Sequence, residues 1–168
     1  MSAPPSITLR AARDDDADRL FAWRNDAGAV RWSVTGRPVA RDSHARWFAA
    51  RRTDPHVLLW IAEERGNPVA QVRVDITATV GAVSVAVAAA HRGRGIGAEV
   101  LRAMVIEVAR DGRVRTLRAL VHPENAGSIR AFEKVGFHLC AESDRGFRVL
   151  ELASAAGSTD EMISRSVG

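Results

Sequence analysis

Six residues in the middle of the chain, Arg92-Gly93-Arg94-Gly95-Ile96-Gly97, constrain the fold more than any other stretch. They follow an apolar run at 80–90 and precede an amphipathic run at 97–110. Glycine lets the main chain turn sharply and approach a ligand with no Cβ in the way. A helix starting there offers unpaired N–H groups and the positive end of its dipole. The order predicts a strand, a tight loop and a helix start able to cradle a pyrophosphate. Two nucleotide-binding alternatives use similar loops. A Walker loop is excluded, because no Gly-Lys-Ser/Thr follows. A dinucleotide fingerprint fits Gly93-x-Gly95-x-x-Ala98, with Asp111 18 residues beyond Gly93. Against it, the loop lies in mid-chain after a hairpin, not after the first strand of repeated β-α-β units. A glycine turn that holds nothing is the third reading.

The rest of the chain fits around this loop. Residues 7–10 alternate like a short strand, and Asp14 to Asp16 offer caps and first-turn charge for a helix carrying Ala17, Leu20 and Phe21. Gly28, Gly36 and Pro38 mark an irregular segment. A second helix begins near Asp42 or Ser43, and Asp54-Pro55 ends it. Residues 57–64 and 69–76 read as strands joined at Gly66-Asn67-Pro68, and 82–89 as a third with Gly81 at its entry. After the long helix, closed by Asp111-Gly112, come a strand at 114–121, a helix at 125–135, and strands at 137–142 and 147–152. The order β-α-α-β-β-β-α-β-α-β-β implies a single α/β domain with a mixed, mostly antiparallel central sheet and helices on both faces. We place the domain at residues 1–152 and expect the small, polar 153–168 to be a disordered tail.

Composition narrows the function classes. The chain has 24 Lys+Arg, and Lys134 is the only lysine. The arginines are scattered among alanines, the pattern of a coding bias, and also attract anionic small molecules. Neither a basic stripe nor a base-stacking motif points to nucleic acid. The most apolar stretch, at 80–90, is far shorter than the ~20 residues of a membrane span. No charged start with an apolar run marks a secretory signal. Cys140 is the only cysteine, which excludes an intrachain disulfide. The expectation is a cytoplasmic protein, monomer or homodimer, with no nucleic-acid or membrane partner. The five histidines lack metal-ligand spacing, so no metal is expected.

Two motifs together carry a resemblance. Ala86-Val87, then His91-Arg92-Gly93-Arg94-Gly95-Ile96-Gly97, looks like the acyl-CoA motif of the GNAT superfamily of N-acetyltransferases. His122-Pro123-Glu124-Asn125, then Ser128, Ile129, Ala131, Phe132, Glu133, Lys134, Val135, Gly136 and Phe137, looks like its second motif. The resemblance covers about residues 57–142. It implies an acetyl-CoA-dependent N-acetyltransferase, in which a primary amine attacks the thioester directly. It implies that main-chain N–H groups of Arg92, Gly93, Arg94, Gly95, Ile96, Gly97 and Ala98 hold the pyrophosphate. The strand edge at Val85 and Val87 would pair with the pantetheine amides, Asn125 would hold the arm from the other side, and Ser128 would sit near the sulfur. As a helix cap, Asn125 has a second role compatible with the first.

The family pattern fails at catalysis. Many members place a glutamate on the strand before the asparagine and a tyrosine on the following helix. Here those positions are Leu120 and Phe132, and the chain has no tyrosine. Ser128 or water is left to serve the departing thiolate. The base candidates are His44, Asp75, His122 and Glu124; the last two can equally cap the helix, and Asp75 can be a solvated strand residue. Cys140 is expected to be inert. Acceptor contacts are expected from Trp23, Arg24, Asn25, Arg31, His44, Trp47 and Arg73. With Gln71 and Asp75, this set resembles the GNAT enzymes that acetylate amino groups on nucleotide-linked deoxysugars, including those of pseudaminic acid biosynthesis. The aromatic residues equally suit a core, with Arg24 a buried ion-pair partner. The expected acceptor is a small-molecule amine, an amino sugar that can carry a nucleotide. A protein N-terminus, an aminoglycoside-type amine, and a non-catalytic acyl-CoA sensor are the alternatives.

Overall fold

The computed structural model describes residues 6–143 and 145–155. In chain order it has β1 (Ile7–Ala11), α1 (Ala17–Asn25), α2 (Ala27–Trp32), α3 (Arg41–Thr53), β2 (Val57–Glu64), β3 (Asn67–Thr77) and β4 (Val80–Val87). Then follow α4 (Ile96–Asp111), β5 (Thr116–Val121), α5 (Ala126–Val135), β6 (His138–Glu142) and β7 (Arg148–Ala153). The strands form one seven-stranded sheet in the order β1-β2-β3-β4-β5-β7-β6. Every pair is antiparallel except β4 and β5.

Local chemistry explains where these elements differ from the sequence reading. The hairpin turn is Arg65-Gly66, both at positive φ (51° and 82°), so β3 already begins at Asn67. Pro68 lies beside the irregular pairing at Ala62 and Glu63, where a residue without an N–H is tolerated. β4 starts at Val80 and stops at Val87, and a single tight turn at Ala89–His91 leads into the glycine loop. The segment expected to be irregular contains a helix, α2. Asp26 Oδ1 caps it, accepting from the N–H of Gly28 at 2.9 Å and of Ala29 at 3.3 Å. None of its six residues is buried, so no apolar face announced it. The end of the fold also shifts: β7 runs to Ala153, and the buried Ser154 donates its N–H to Arg115 O at 2.8 Å. The expected domain limit at 152 is therefore two residues short, and 156–168 lie outside the described residues.

Two clusters of buried side chains lie on opposite faces of the sheet. Ala62 of β2 joins the larger one, with Val100, Leu101, Met104 and Val108 of α4 and Ile129 and Phe132 of α5. Leu59 and Ile61 of β2 point the other way, to Leu20 of α1 and Phe48 of α3. One strand thus serves both layers. Gly81 on β4 is enclosed: a Cβ there would lie 2.6 Å from Val74 Cγ1. Among the described residues no helix is long and apolar enough to cross a membrane.

Candidate functional site

The sheet opens where the glycine loop begins. β4 and β5 pair from Val80 with Thr116 to Val83 with Ala119, and there the parallel ladder stops. Residues 84–87 of β4 continue without β5. Their peptide groups alternate in direction, and the N–H of Ala88 donates to Val69 O on β3 at 2.9 Å. The antiparallel register pairs Ala86 with Gln71 and Ser84 with Arg73, so the even-numbered residues spend their peptide groups on β3. Val85 and Val87 turn theirs toward the opening. Such an edge can take an extended ligand as an added strand.

The loop beyond the opening is a cradle of donors. Gly93 and Gly95 have φ of 75° and 77°, a conformation that side-chain-bearing residues rarely adopt. Gly95 caps α4. Among the described residues no acceptor meets the main-chain N–H groups of residues 93–98, six in succession at the positive end of a 16-residue helix. That set fits a diphosphate. Ile96 and Ala98 are buried beneath it, so their side chains anchor the helix while their N–H groups stay at its start. The arginine side chains are engaged elsewhere. Arg92 donates to both carboxylate oxygens of Asp26 (2.9 and 2.6 Å) and to Val87 O (3.0 Å). Arg94 reaches Glu64 at 3.2 Å and contacts His91 Nδ1 at 3.2 Å. Asp26 is held below the usual carboxylate range chiefly by its hydrogen bond with Arg92. No sequence pattern marked Asp26, although Asp26-Ala27-Gly28 is a legible helix cap.

The second motif flanks the same opening from β5. Asn125 Oδ1 accepts from the Ser128 N–H at 3.2 Å and so caps α5. The Ser128 hydroxyl makes no hydrogen bond among the described residues. Glu124 is exposed, and its main-chain N–H donates to His122 Nδ1 at 3.2 Å. A neutral His122 then carries its proton on Nε2, which makes that nitrogen a donor. Its ring lies between Trp32 (5.1 Å between centroids) and Phe147 (5.5 Å), so α2 touches the second motif at one end and the glycine loop at the other. Trp32 was not among the expected residues. Phe132 is 2% exposed and meets Phe137 edge-on at 4.9 Å, while Leu120 is exposed on the other face of β5.

The expected acceptor residues separate into two kinds. His44 is 4% exposed, walled by Phe21, Trp47 and Phe48, with Arg73 over the Trp47 ring at 5.1 Å. Burial pushes the His44 pKa down, and the charges of Arg24 and Arg41 add to the shift. Arg24 lies alongside, its Nη2 3.3 Å from Arg37 O. Asp75 is paired with Arg73 at 2.7 Å. Arg73 is directly opposite Ser84, the first β4 residue past the last β5 pair, so this group borders the opening. The others make different contacts. Asn25 is tied to the main chain of Val39: its Nδ2 donates to Val39 O (2.9 Å) and its Oδ1 accepts from Val39 N–H (2.7 Å). Trp23 packs against the Leu20–Phe48 cluster. Arg31 is exposed and lies over Trp32 at 4.5 Å. Cys140 is exposed on β6, its Sγ donating to Val149 O. Among the described residues no His/Cys/Asp/Glu group could hold a metal ion.

Comparison with known proteins matches the description of an acetyltransferase (GNAT) domain to residues 6–138. The chain is 31% identical over 146 residues to an L-2,4-diaminobutyric acid acetyltransferase of Streptomyces anulatus, covering 79% of this chain and 77% of that protein. It is 24% identical over 148 residues to an aminoglycoside N(6')-acetyltransferase type 1 of Klebsiella pneumoniae, covering 79% and 74%. Its fold is similar to that of a spermidine N-acetyltransferase from Vibrio cholerae in complex with CoA and spermine. That likeness has a TM-score of 0.79 at 15% identity and covers 91% and 98% of the two chains.

Proposed function

The chain belongs to the GNAT acetyltransferase family and is an acetyl-CoA-dependent acetyltransferase of amines, and from that premise we propose that its acceptor is a small primary amine of the amino-sugar kind. One observation carries the reading: the β4 edge that β5 leaves runs into a loop of main-chain N–H groups without acceptors among the described residues, and at its start Ser84 lies opposite Arg73, whose guanidinium covers the Trp47 ring beside His44. Flat aromatic surfaces stack on sugar rings, and arginines pair with anionic substituents. The aminoglycoside acetyltransferase supports an amine on a sugar, and the diaminobutyric acid acetyltransferase supports a small amine more generally. The relatives named above bring no support for a nucleotide handle; the cationic lining alone supports that part.

We assign roles to the residues as follows. The N–H groups of residues 93–98 receive the diphosphate of acetyl-CoA, which supplies the activated acetyl group; Arg92, expected among them, donates its own N–H to Ala89 O at 3.4 Å. Val85 and Val87 align the pantetheine arm, and Asn125 and Ser128 flank it from α5. The amine nitrogen attacks the carbonyl carbon, the C–S bond breaks, the Ser128 hydroxyl donates a hydrogen bond to the departing sulfur, and the proton shed by the nitrogen passes to water while water protonates the thiolate. The amine must arrive neutral. Among the proposed bases Glu124 is exposed and His44 is enclosed by rings, while the Nδ1 bond of His122 speaks against a lone pair at its Nε2. A sugar amine is less basic than a lysine, which lessens the demand on any base.

Release of CoA thiol tests the reading, with acetyl-CoA as donor and glucosamine, kanamycin and a short peptide as acceptors. The amino sugars should exceed the peptide by at least about tenfold in kcat/KM, a difference of ~1.4 kcal/mol in transition-state binding. A preference for the peptide would move the protein to acetylation of protein N-termini. Tight acetyl-CoA binding without thiol release from any amine would make it a sensor.

A further inference from the structure

The charge balance beside the opening is uneven. Arg24 Nη1 is buried and has no hydrogen-bond partner, and no ion pair reaches this guanidinium among the described residues. Its Nη2 meets only neutral oxygens, of Thr35 and of the Arg37 main chain. Acids of the neighbouring elements pair with other arginines. Asp26 holds Arg92, Asp18 holds Arg41 at 2.8 Å, and Asp75 gives Oδ2 to Arg73, while its buried Oδ1 has no hydrogen-bond partner and lies 3.8 Å from Arg51 Nη1. The neighbouring His44 is depressed by burial first and by the Arg24 charge in addition. A cation in a half-buried place without a counter-ion is unfavourable, and folded proteins retain such groups chiefly where something else satisfies them.

We infer that Arg24 binds an anionic group of the acceptor, so that the substrate is a primary amine carrying a carboxylate or a phosphate. This rests on the reading of the opening as the acceptor's entrance. Three observations support it. Nη1 is shut from solvent where the side chain now lies and Nη2 holds only neutral oxygens at 3.5 and 3.3 Å, so an anion that draws the guanidinium out replaces weak contacts and meets two donors, the geometry in which arginine binds carboxylate and phosphate best. The low exposure of the surroundings strengthens that pairing relative to one in water. Arg73 and Arg41 are paired with Asp75 and Asp18, so among these three arginines Arg24 is the cation that no carboxylate reaches. The inference therefore separates this chain's acceptor from the aminoglycoside and the polyamine named for two of its relatives.

Matched pairs of acceptors test it by release of CoA thiol. Glucosamine 6-phosphate is set against glucosamine, and 2,4-diaminobutyrate against 1,3-diaminopropane, with spermidine and kanamycin as polycations. The anionic member of at least one pair should lead by about tenfold or more in kcat/KM, and the pair that responds tells phosphate from carboxylate. Arg24→Gln should abolish that lead by raising KM for the anionic amine, Arg24→Lys should keep part of it, and both should leave KM for acetyl-CoA unchanged. A polycation as the best substrate, or an undiminished lead in Arg24→Gln, would overturn the inference. Where no amine reacts, inorganic phosphate is titrated at constant ionic strength with saturating CoA over the glycine loop. Thermal stabilisation larger in the wild type than in Arg24→Gln supports the site, and equal stabilisation rejects it. Failure of the acetyltransfer reading itself would be seen separately, as no thiol release and no stabilisation by CoA.

Discussion

A single imidazole reports on the electrostatics between α1 and α3. His44 is depressed because the ring is desolvated and faces Arg24 from α1 and Arg41 from its own helix. In the unfolded chain it titrates near the ordinary value of ~6.5. Between the depressed native value and that one, the unfolded state binds more protons, so stability falls as pH drops. The His44 contribution is whole above about pH 6.5 and is lost as pH falls through the native value. The melting temperature of the wild type should therefore decline on acidification, and His44→Phe, which keeps an aromatic ring among Phe21, Trp47 and Phe48, should flatten that decline. A slope unchanged in His44→Phe would assign the acid sensitivity to other groups. At the same scale, the Asn25 amide is tied to both polar groups of Val39.

Helix α2 depends heavily on one carboxylate. Six residues with no fully buried side chain, tied to the second motif by Trp32 on His122, have little packing to hold a helix. Asp26 does it by capping Gly28 and Ala29, and the same carboxylate takes the Arg92 fork, so α2 and the glycine loop share an anchor. A Cβ at Gly28 would lie 2.4 Å from Arg92 Nη1, so a larger residue there would push the Arg92 guanidinium away from Asp26. Substitutions at Asp26 should split the two functions. Asp26→Asn keeps an oxygen acceptor for the cap and loses the charge. Asp26→Ala loses both and should cost about 1–2 kcal/mol of stability, most of it the cap. In urea unfolding the Asn variant should lie near the wild type and the Ala variant well below. Both should raise KM for acetyl-CoA, because Arg92 is freed from the position that steadies the loop. Equal stability of the two variants would remove the cap from the account.

The molecule as a whole is a sheet that fails to close between two adjacent parallel strands, with donors gathered at the failure. Ligand binding there is folding free energy. Acetyl-CoA at ~100 times its Kd should add ~2.7 kcal/mol, a rise of roughly 5–10 °C in melting temperature for a domain of this size. NADH should add nothing, and Gly95→Val should lose the response, since position 95 has φ of 77°. A response to NADH alone would restore the dinucleotide reading of the loop. Much of this was legible in the chain. The period of each strand and of α4 and α5, the glycine loop, and the motif around Asn125 are local patterns, governed by backbone geometry within a few residues. The unrecognised helix α2 was missed because its signal is a cap and not a face. What tertiary structure alone decided is long-range pairing. Asp26 meets Arg92 across 66 residues. Among the described residues no acid pairs with Arg24, while Asp18, Asp26 and Asp75 pair with other arginines. The β4–β5 ladder ends after Val83. Sequence lists the charges and the strands; only the packed chain fixes which charges come within reach of one another, and which strand edge is left without a neighbouring strand.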